Sequence, residues 1–145
     1  MIRMEYNLVI NRPIEDVFAF VSNIEKLSQW VGPVLEAKQT SEGPVGVGTT
    51  STRVAQFLGQ QLETTHEVTE YEPNRKISFK SSSGPIAIEE RFTFESVENG
   101  TKGTFSGEVE AGGFFKLAEP IIARMLKRQT ESDVNNLKEL LEAQA

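Results

Sequence analysis

Several residue types that support common kinds of chemistry are scarce or absent in this sequence of 145 residues. It contains no cysteine, which excludes disulfide bonds, a thiolate nucleophile and any metal site that needs a cysteine ligand. The single histidine, His66, leaves too few nitrogen ligands for a zinc site. We therefore expect no metal and no cofactor, and any metal chemistry would have to use oxygen ligands.

Positive charge and long apolar runs are also lacking. Fifteen Lys and Arg residues stand against twenty-one Asp and Glu residues, a net charge of −6 that argues against nucleic acid as a partner. The longest apolar run, residues 17–21, is far shorter than the ~20 residues that span a bilayer, and residues 1–5 open no signal peptide. The sequence predicts a cytoplasmic protein without integral membrane association, and it leaves a homodimer open.

What the sequence does contain is an ordered series of strand and helix patterns. Residues 4–10 alternate with period two as a strand, and residues 14–21 and 24–30 follow as two short helices. Six further strands are predicted between Gly, Pro and Asn turns: Val34–Ser41, Thr49–Leu58, Gln61–Tyr71, Lys76–Ser82, Ile86–Val97 and Thr101–Glu110. A long helix then runs to Leu141, with Pro120 marking its start or a kink.

The order of these elements predicts an α+β fold. Short turns between successive strands predict an antiparallel meander. A sheet of about seven strands that must cover one long helix curls around that helix, and such a curved sheet tends to enclose a hollow. Apolar residues of the long helix are spaced to face this hollow, among them Ile122, Met125 and Leu126.

Four segments carry a resemblance to a known superfamily. They are Asn11–Phe18 leading to Trp30, Val47-Gly48-Thr49, Glu67–Pro73 and Leu137–Glu142. In their order and spacing the sequence resembles the START-like (SRPBCC) helix-grip superfamily, and within it the polyketide cyclase/dehydrase and lipid transport branch. The resemblance implies a curved antiparallel sheet around a long C-terminal helix, with two short helices after the first strand. It also implies that residues 1–145 form a single START-like ligand-binding domain.

Glu90 is the most informative polar residue in the predicted strands. It shares the phase of Ile88 and Phe92, so an interior-facing strand would place its carboxylate among apolar side chains. Such a carboxylate is costly unless it is paired, hydrated or protonated. Glu90 is therefore a candidate cavity acid, base or ligand anchor, and the alternative is a β-bulge that turns it outward beside Arg91.

His66 and Arg53 are the other polar candidates. His66 shares the phase of Thr64 and Val68, which predicts an inward imidazole that either acts on a ligand or serves the structure through a hydrogen bond. The strand pattern does not determine the direction of Arg53, because both faces of its strand are equally mixed. Gln129 and Asp133 add polar groups to the long helix, as ligand contacts or as exposed positions.

The predicted function is the binding or transport of a small hydrophobic or amphipathic molecule between the sheet and the long helix. The predicted cavity residues are Trp30, which we place at the cavity mouth, and Phe57, His66, Phe79, Ile88, Glu90, Phe92, Phe105, Met125 and Gln129. One alternative is an enzyme resembling polyketide cyclases and dehydratases, with Glu90 or His66 as general base. A second is a protein-binding module like the chaperone activators of this fold, for which an exposed apolar patch and a collapsed interior are expected.

Overall fold

The structure, a computed structural model, describes residues 1–57, 59–83, 86–111 and 117–144. One sheet contains seven strands: β1 (Ile2–Ile10), β2 (Val34–Gln39), β3 (Thr50–Phe57), β4 (Gln60–Glu72), β5 (Lys76–Ser83), β6 (Ile86–Val97) and β7 (Gly100–Ala111). The helices are α1 (Ile14–Ser22), α2 (Leu27–Trp30) and α3 (Glu119–Ala143), and a 3-10 turn (Ile24–Lys26) precedes α2. This arrangement confirms the predicted α+β helix-grip fold.

The sheet is antiparallel throughout, in the order β1-β7-β6-β5-β4-β3-β2. Strands β2 to β7 form the predicted meander, in which each strand pairs with the next along the chain. β1 closes the order by pairing with β7, with Ile2 opposite Val109 and Ile10 opposite Thr101. Local turns cannot specify this pairing, because it joins the first and the last strand along the chain.

The long helix α3 begins at Glu119, with Pro120 in its first turn. This is the helix start that Pro120 predicts, because the missing N–H of a proline in the first turn costs no intrahelical hydrogen bond. The buried stripe of α3 contains Ile122, Val134 and Leu137. Met125 lies outside this stripe and is 39% exposed, so its predicted inward orientation is wrong.

Buried side chains divide the interior into two unequal parts along α3. The larger part, which we call the packed end, joins α1, α2 and the sheet to residues 134–141 of α3. Its aromatic centre holds Trp30, Phe92 and Phe105 with ring centroids between 5.2 and 5.9 Å apart. Among the described residues, the buried apolar side chains of the smaller part are Ile2, Val109 and Ile122, with half-buried side chains around them: Met4, Leu62, Ile88, Ala118, Ala123 and Leu126. We call it the hollow end.

Candidate functional site

The hollow end contains a cavity of about 210 Å³ between the curved sheet and residues 126–133 of α3. Most of its wall is apolar: Met4, Val31, Pro33, Val34, Ala55, Leu62, Ile88, Phe92, Phe105, Val109 and Leu126. Its polar lining residues are Arg53, Gln56, Thr64, His66, Glu90, Ser106, Gln129, Thr130 and Asp133. An apolar enclosure with a few convergent polar groups is the usual form of a small-molecule site.

A larger depression of about 310 Å³ lies between the side chains of β4 to β7. Its charged groups already serve one another, because Glu70 accepts hydrogen bonds from Ser78 at 2.8 Å and from Arg91 at 3.0 Å. The Lys76 ammonium lies 3.2 Å from the same carboxylate. Since Glu70 is already paired in this way, and the interior cavity holds buried polar atoms without a partner among the described residues, the interior cavity is the better candidate for a ligand.

Arg53 and Glu90, which both line the cavity, form an ion pair in its wall. Arg53 Nη1 lies 2.8 Å from Glu90 Oε1, and the side chains are 6% and 21% exposed. Although these atoms are close, their angle does not align them as a hydrogen bond, and Arg53 Nε and Nη2 have no hydrogen-bond partner among the described residues. The guanidinium carbon lies 5.2 Å from the centroid of the Phe79 ring, a cation–π contact that partly replaces the lost hydration.

Glu90 occupies this position because β6 keeps its strand phase. The register with β7 runs without a shift from Ile86 to Val97, so the alternative of an outward β-bulge at Glu90 is wrong. Gly107 lies opposite Glu90 in this register and lines the same cavity. A Cβ atom at Gly107 would lie 3.3 Å from Met4 Cε, so the glycine preserves space beside the carboxylate.

His66 lies on β4 with its imidazole almost completely buried, at 1% exposure. Its Nε2 atom and Thr64 Oγ1 lie 2.7 Å apart and share a hydrogen bond, while Nδ1 is buried with no partner among the described residues. The pKa of His66 is lowered to about 4, first by burial and then by the nearby charge of Arg53, while the charge of Glu90 acts in the opposite direction. The imidazole is therefore neutral at neutral pH and offers one unpaired nitrogen.

Asp133 connects α3 to the loop that follows α2. Its Oδ1 atom accepts hydrogen bonds from the Gly32 N–H at 2.9 Å and from Gln129 Nε2 at 2.7 Å. Burial raises the pKa of Asp133, and these two hydrogen bonds act in the opposite direction. A Cβ atom at position 32 would lie 2.8 Å from Gln129 Nε2, so only glycine allows this close approach without a shift of the helix side chain.

The structure brings six of the predicted cavity residues to the cavity wall: His66, Ile88, Glu90, Phe92, Phe105 and Gln129. Trp30 is 2% exposed within the aromatic centre of the packed end, not at a mouth, and Phe79 lies behind Phe92 at a ring distance of 6.1 Å. Met125 lies on the outer surface of α3. The side chain of Phe57 lies outside the described residues.

The sequence reasoning missed several cavity residues that have no chemical signature of their own. Met4, Gly107 and Thr130 enter because the β1–β7 pairing and the packing of the middle of α3 against β1 bring them together. Thr64 had a usable signal, since a polar residue two positions before His66 on one strand shares its face. The same phase argument, applied once β3 is paired with β4, places Arg53 inward opposite Thr64.

Comparison with known proteins gives one family and many similar folds. Residues 1–142 match the family described as polyketide cyclase/dehydrase and lipid transport. The TTHA0849 protein of Thermus thermophilus has 20% identity and a TM-score of 0.85, with 99% of each chain covered. The Zhui aromatase/cyclase of a Streptomyces species has 13% identity and a TM-score of 0.76, with 97% of this chain and 93% of its own covered.

A START superfamily protein from Mycobacterium smegmatis has 16% identity and a TM-score of 0.73, with 99% of this chain and 97% of its own covered. At these identities the similarity establishes the fold and not the chemistry. No curated protein is significantly similar in sequence to the chain. Within the described residues, no helix is both long and apolar enough to cross a membrane.

Proposed function

The chain belongs to the polyketide cyclase/dehydrase and lipid transport family, and we propose that its cavity binds a small molecule with an apolar body and one polar end. The apolar wall would cover the body of the ligand. The polar end would lie beside Arg53, His66 and Glu90, which converge from three strands of the sheet.

The observation that carries this proposal is the unpaired state of the buried polar groups. Arg53 and His66 line the cavity, and both retain nitrogen atoms without a hydrogen-bond partner among the described residues. Leaving a buried donor unpaired costs about 1–3 kcal/mol of stability. A ligand that accepts a hydrogen bond from such a donor would recover this free energy on binding. A carbonyl, hydroxyl or carboxylate on the ligand supplies the acceptor that the guanidinium lacks.

The size of the cavity limits the ligand. A volume of about 210 Å³ is below the range of about 300–1,000 Å³ that is typical of drug-sized ligands. Liquid water occupies about 30 Å³ per molecule, so the cavity has the volume of roughly seven waters. This favours a compact amphipathic molecule over a long poly-β-keto chain folded inside the protein.

An acid–base enzyme of the cyclase or dehydratase type is the alternative that the same residues suggest. General bases are most effective when their pKa lies near the working pH. The pKa of His66 is lowered to about 4, which makes its imidazole a weak base. The Glu90 carboxylate already forms an ion pair with Arg53 at 2.8 Å. These features favour binding over proton transfer.

A protein-binding module is the other alternative. Such a module is expected to have an exposed apolar patch together with a collapsed interior. The cavity of about 210 Å³ argues against this alternative.

Native mass spectrometry of the purified protein, followed by thermal-shift measurements with a ligand panel, tests the binding proposal. The panel pairs compact acids, alcohols and ketones with hydrocarbons of the same size. We expect the polar-ended members to raise the unfolding temperature, because a ligand that binds only the folded state stabilises it. The absence of a co-purified molecule and of any stabilisation across the panel would contradict the proposal.

A matched pair of glycine variants locates the binding. In Gly107→Val the new side chain grows into the cavity beside Met4, whereas a Cβ at Gly46 meets nothing within 4 Å. We expect Gly107→Val to abolish the ligand-induced shift and Gly46→Val to retain it. An equal response of the two variants would mean that the ligand binds elsewhere.

Turnover measurements separate binding from catalysis. Glu90→Gln and His66→Ala would remove the two candidate bases. We expect them to weaken ligand binding, and we expect the unmodified protein to show no turnover of a poly-β-keto substrate. Turnover by the unmodified protein that falls in both variants would establish the enzyme alternative.

A further inference from the structure

Apolar side chains are exposed to solvent in the first turns of α3 and at Leu117, two residues before the helix. Leu117 is 90% exposed, Ile121 is 74% exposed and Met125 is 39% exposed. Ile121 and Met125 are four residues apart and therefore lie on one side of the helix. Single exposed apolar residues are ordinary, but a group of them beside a ligand cavity marks a candidate interaction surface.

The same segment carries three cations that have no acidic partner in the part of the chain that the structure describes. Arg124, Lys127 and Arg128 form no ion pair within 4.0 Å with any carboxylate among the described residues. Most of the other described cations form an ion pair with a carboxylate: Arg3, Arg12, Lys38, Arg53, Arg75, Lys76, Lys80, Arg91 and Lys138. The unpaired positive charge is thus concentrated where apolar side chains are exposed.

These residues line two shallow grooves on the exposed side of the first half of α3. A shallow groove is lined by Ile121, Arg124, Met125 and Arg128, with Glu131 at its far end, and a second groove is lined by Met1, Leu117, Pro120 and Lys127. Six residues make up this surface, which we call the docking face: Leu117, Ile121, Arg124, Met125, Lys127 and Arg128. Gln129 lines both the first groove and the interior cavity, so the docking face lies next to the hollow end.

The charge of the docking face differs from that of the rest of the chain. The whole sequence has a net charge of −6. Within residues 117–128 the cations Arg124, Lys127 and Arg128 outnumber Glu119, whose carboxylate is 2.9 Å from the N-terminal ammonium. Beyond residue 128 the acids predominate over Lys138: Glu131, which lines the far end of the first groove, and Asp133, Glu139 and Glu142.

From this charge complementarity we propose that the docking face binds the surface of a membrane that contains anionic lipids. Helices that lie on membranes combine an apolar face with flanking Lys and Arg residues, which meet the acyl boundary and the anionic headgroups. This inference goes beyond the ligand proposed above and does not depend on it. It places the membrane next to Gln129, which lines both the first groove and the interior cavity.

Co-sedimentation of the full chain with vesicles tests the proposal. One set contains phosphatidylcholine alone, and the other contains phosphatidylcholine mixed with phosphatidylglycerol. We expect binding to the anionic vesicles only, and we expect added salt to weaken it because salt screens exposed charges. Equal behaviour toward the two sets, bound or unbound, would overturn the proposal.

A charge-matched pair of triple variants assigns the binding to the docking face. Arg124→Gln with Lys127→Gln and Arg128→Gln removes its three cations. Lys38→Gln with Lys80→Gln and Lys102→Gln removes three exposed cations elsewhere, so both variants change the net charge equally. Each Lys or Arg near an anionic surface contributes roughly fivefold in affinity, so the first variant should lose about a hundredfold.

The control variant should keep its affinity within a fewfold range, and equal losses in the two variants would contradict a local docking face. Ile121→Ser with Met125→Ser tests the apolar part against Leu35→Ser with Val47→Ser, whose side chains are 50% and 70% exposed on other segments. We expect only the first pair to weaken vesicle binding. Circular dichroism checks that each variant is folded. A stable dimer that Ile121→Ser dissociates would show that a second copy covers this face instead.

Discussion

The two halves of α3 meet different interiors. At the packed end, Val134, Leu137 and Leu141 are at most 1% exposed and lie against the core that contains α1 and the sheet aromatics. At the hollow end, Ile122 is fully buried but Leu126 and Gln129 line a cavity. One helix therefore closes the core at one end and forms the wall of a candidate binding site at the other.

This difference separates stability from function along a single element. Close packing at the packed end gains both apolar burial and dispersion contacts. The hollow end forgoes part of that gain, and it also buries nitrogen atoms of Arg53 and His66 that find no hydrogen-bond partner in the described part of the chain. Sites commonly retain such unfavourable features because the same groups are needed to contact a ligand.

Replacing one leucine in each half of α3 gives the largest expected contrast. Leu137 is fully buried in the packed end, whereas Leu126 is half-buried at the cavity wall. We expect Leu137→Ala to lower the free energy of unfolding by about 3 kcal/mol, because the core cannot close around the lost atoms. Leu126→Ala should cost about 1 kcal/mol, since it only enlarges an existing space.

Urea denaturation of the two variants measures both free energies, with the slope of each transition checked against that of the unmodified chain. Equal losses would mean that the hollow end is as well packed as the rest of the interior. That result would break the contrast between the two halves of α3.

The elements that the sequence predicted well are those with a strong local pattern. Strand phase predicted an inward His66 and gave an inward Glu90 as one of two alternatives, and Pro120 marked the start of α3 or a kink; the structure has the inward Glu90 and the helix start. These signals depend on residues within one element, so one sequence carries them in full.

The features that the sequence did not predict depend on contacts between distant segments. The direction of Arg53 follows only from the pairing of β3 with β4, and the place of Trp30 follows from the packing of α2 on Phe92 and Phe105. Met125 was misassigned because residue spacing predicts an apolar stripe on the helix but does not determine which residues at the edge of that stripe face the interior. The candidate site is thus less predictable than the fold, since it forms where several such contacts meet.

The protonation of His66 provides a second test, through the dependence of stability on pH. An unfolded histidine takes up its proton near the ordinary pKa of 6.5, but the folded His66 does so only near 4. Between these pH values the unfolded state holds more protons than the folded state. The free energy of unfolding is therefore unaffected by the titration of His66 above pH 6.5, and it decreases as the pH falls toward 4. A difference of this size corresponds to about 3 kcal/mol.

His66→Gln isolates this contribution, because glutamine stays neutral and can still hydrogen-bond Thr64. Denaturation curves at several pH values should show the variant gaining on the unmodified chain by about 3 kcal/mol between neutral pH and pH 4. A constant difference at all pH values would mean that the imidazole titrates normally and that the hollow end is wet at this point.

The ion pair at the hollow end gives the last and smallest contrast, through two neighbouring carboxylates on β6. Glu90 faces the cavity and pairs with Arg53 at 2.8 Å, while the exposed Glu89 lies 3.8 Å from Lys80. Removing one member of a buried pair costs about 3–5 kcal/mol because the other charge is left uncompensated. Since Glu90 is 21% exposed, water reduces this cost, and we expect Glu90→Gln to lose about 2 kcal/mol.

Glu89→Gln is the matched control and should change stability by less than about 0.5 kcal/mol, as is usual for exposed pairs. Adding Arg53→Met to Glu90→Gln should restore part of the loss, because methionine removes the uncompensated charge and retains apolar volume. Recovery in the double variant would show that the pair is kept at a cost to stability, as expected for a binding group. A further loss in the double variant would instead assign Arg53 a packing role against Phe79, with the carboxylate as its minor partner.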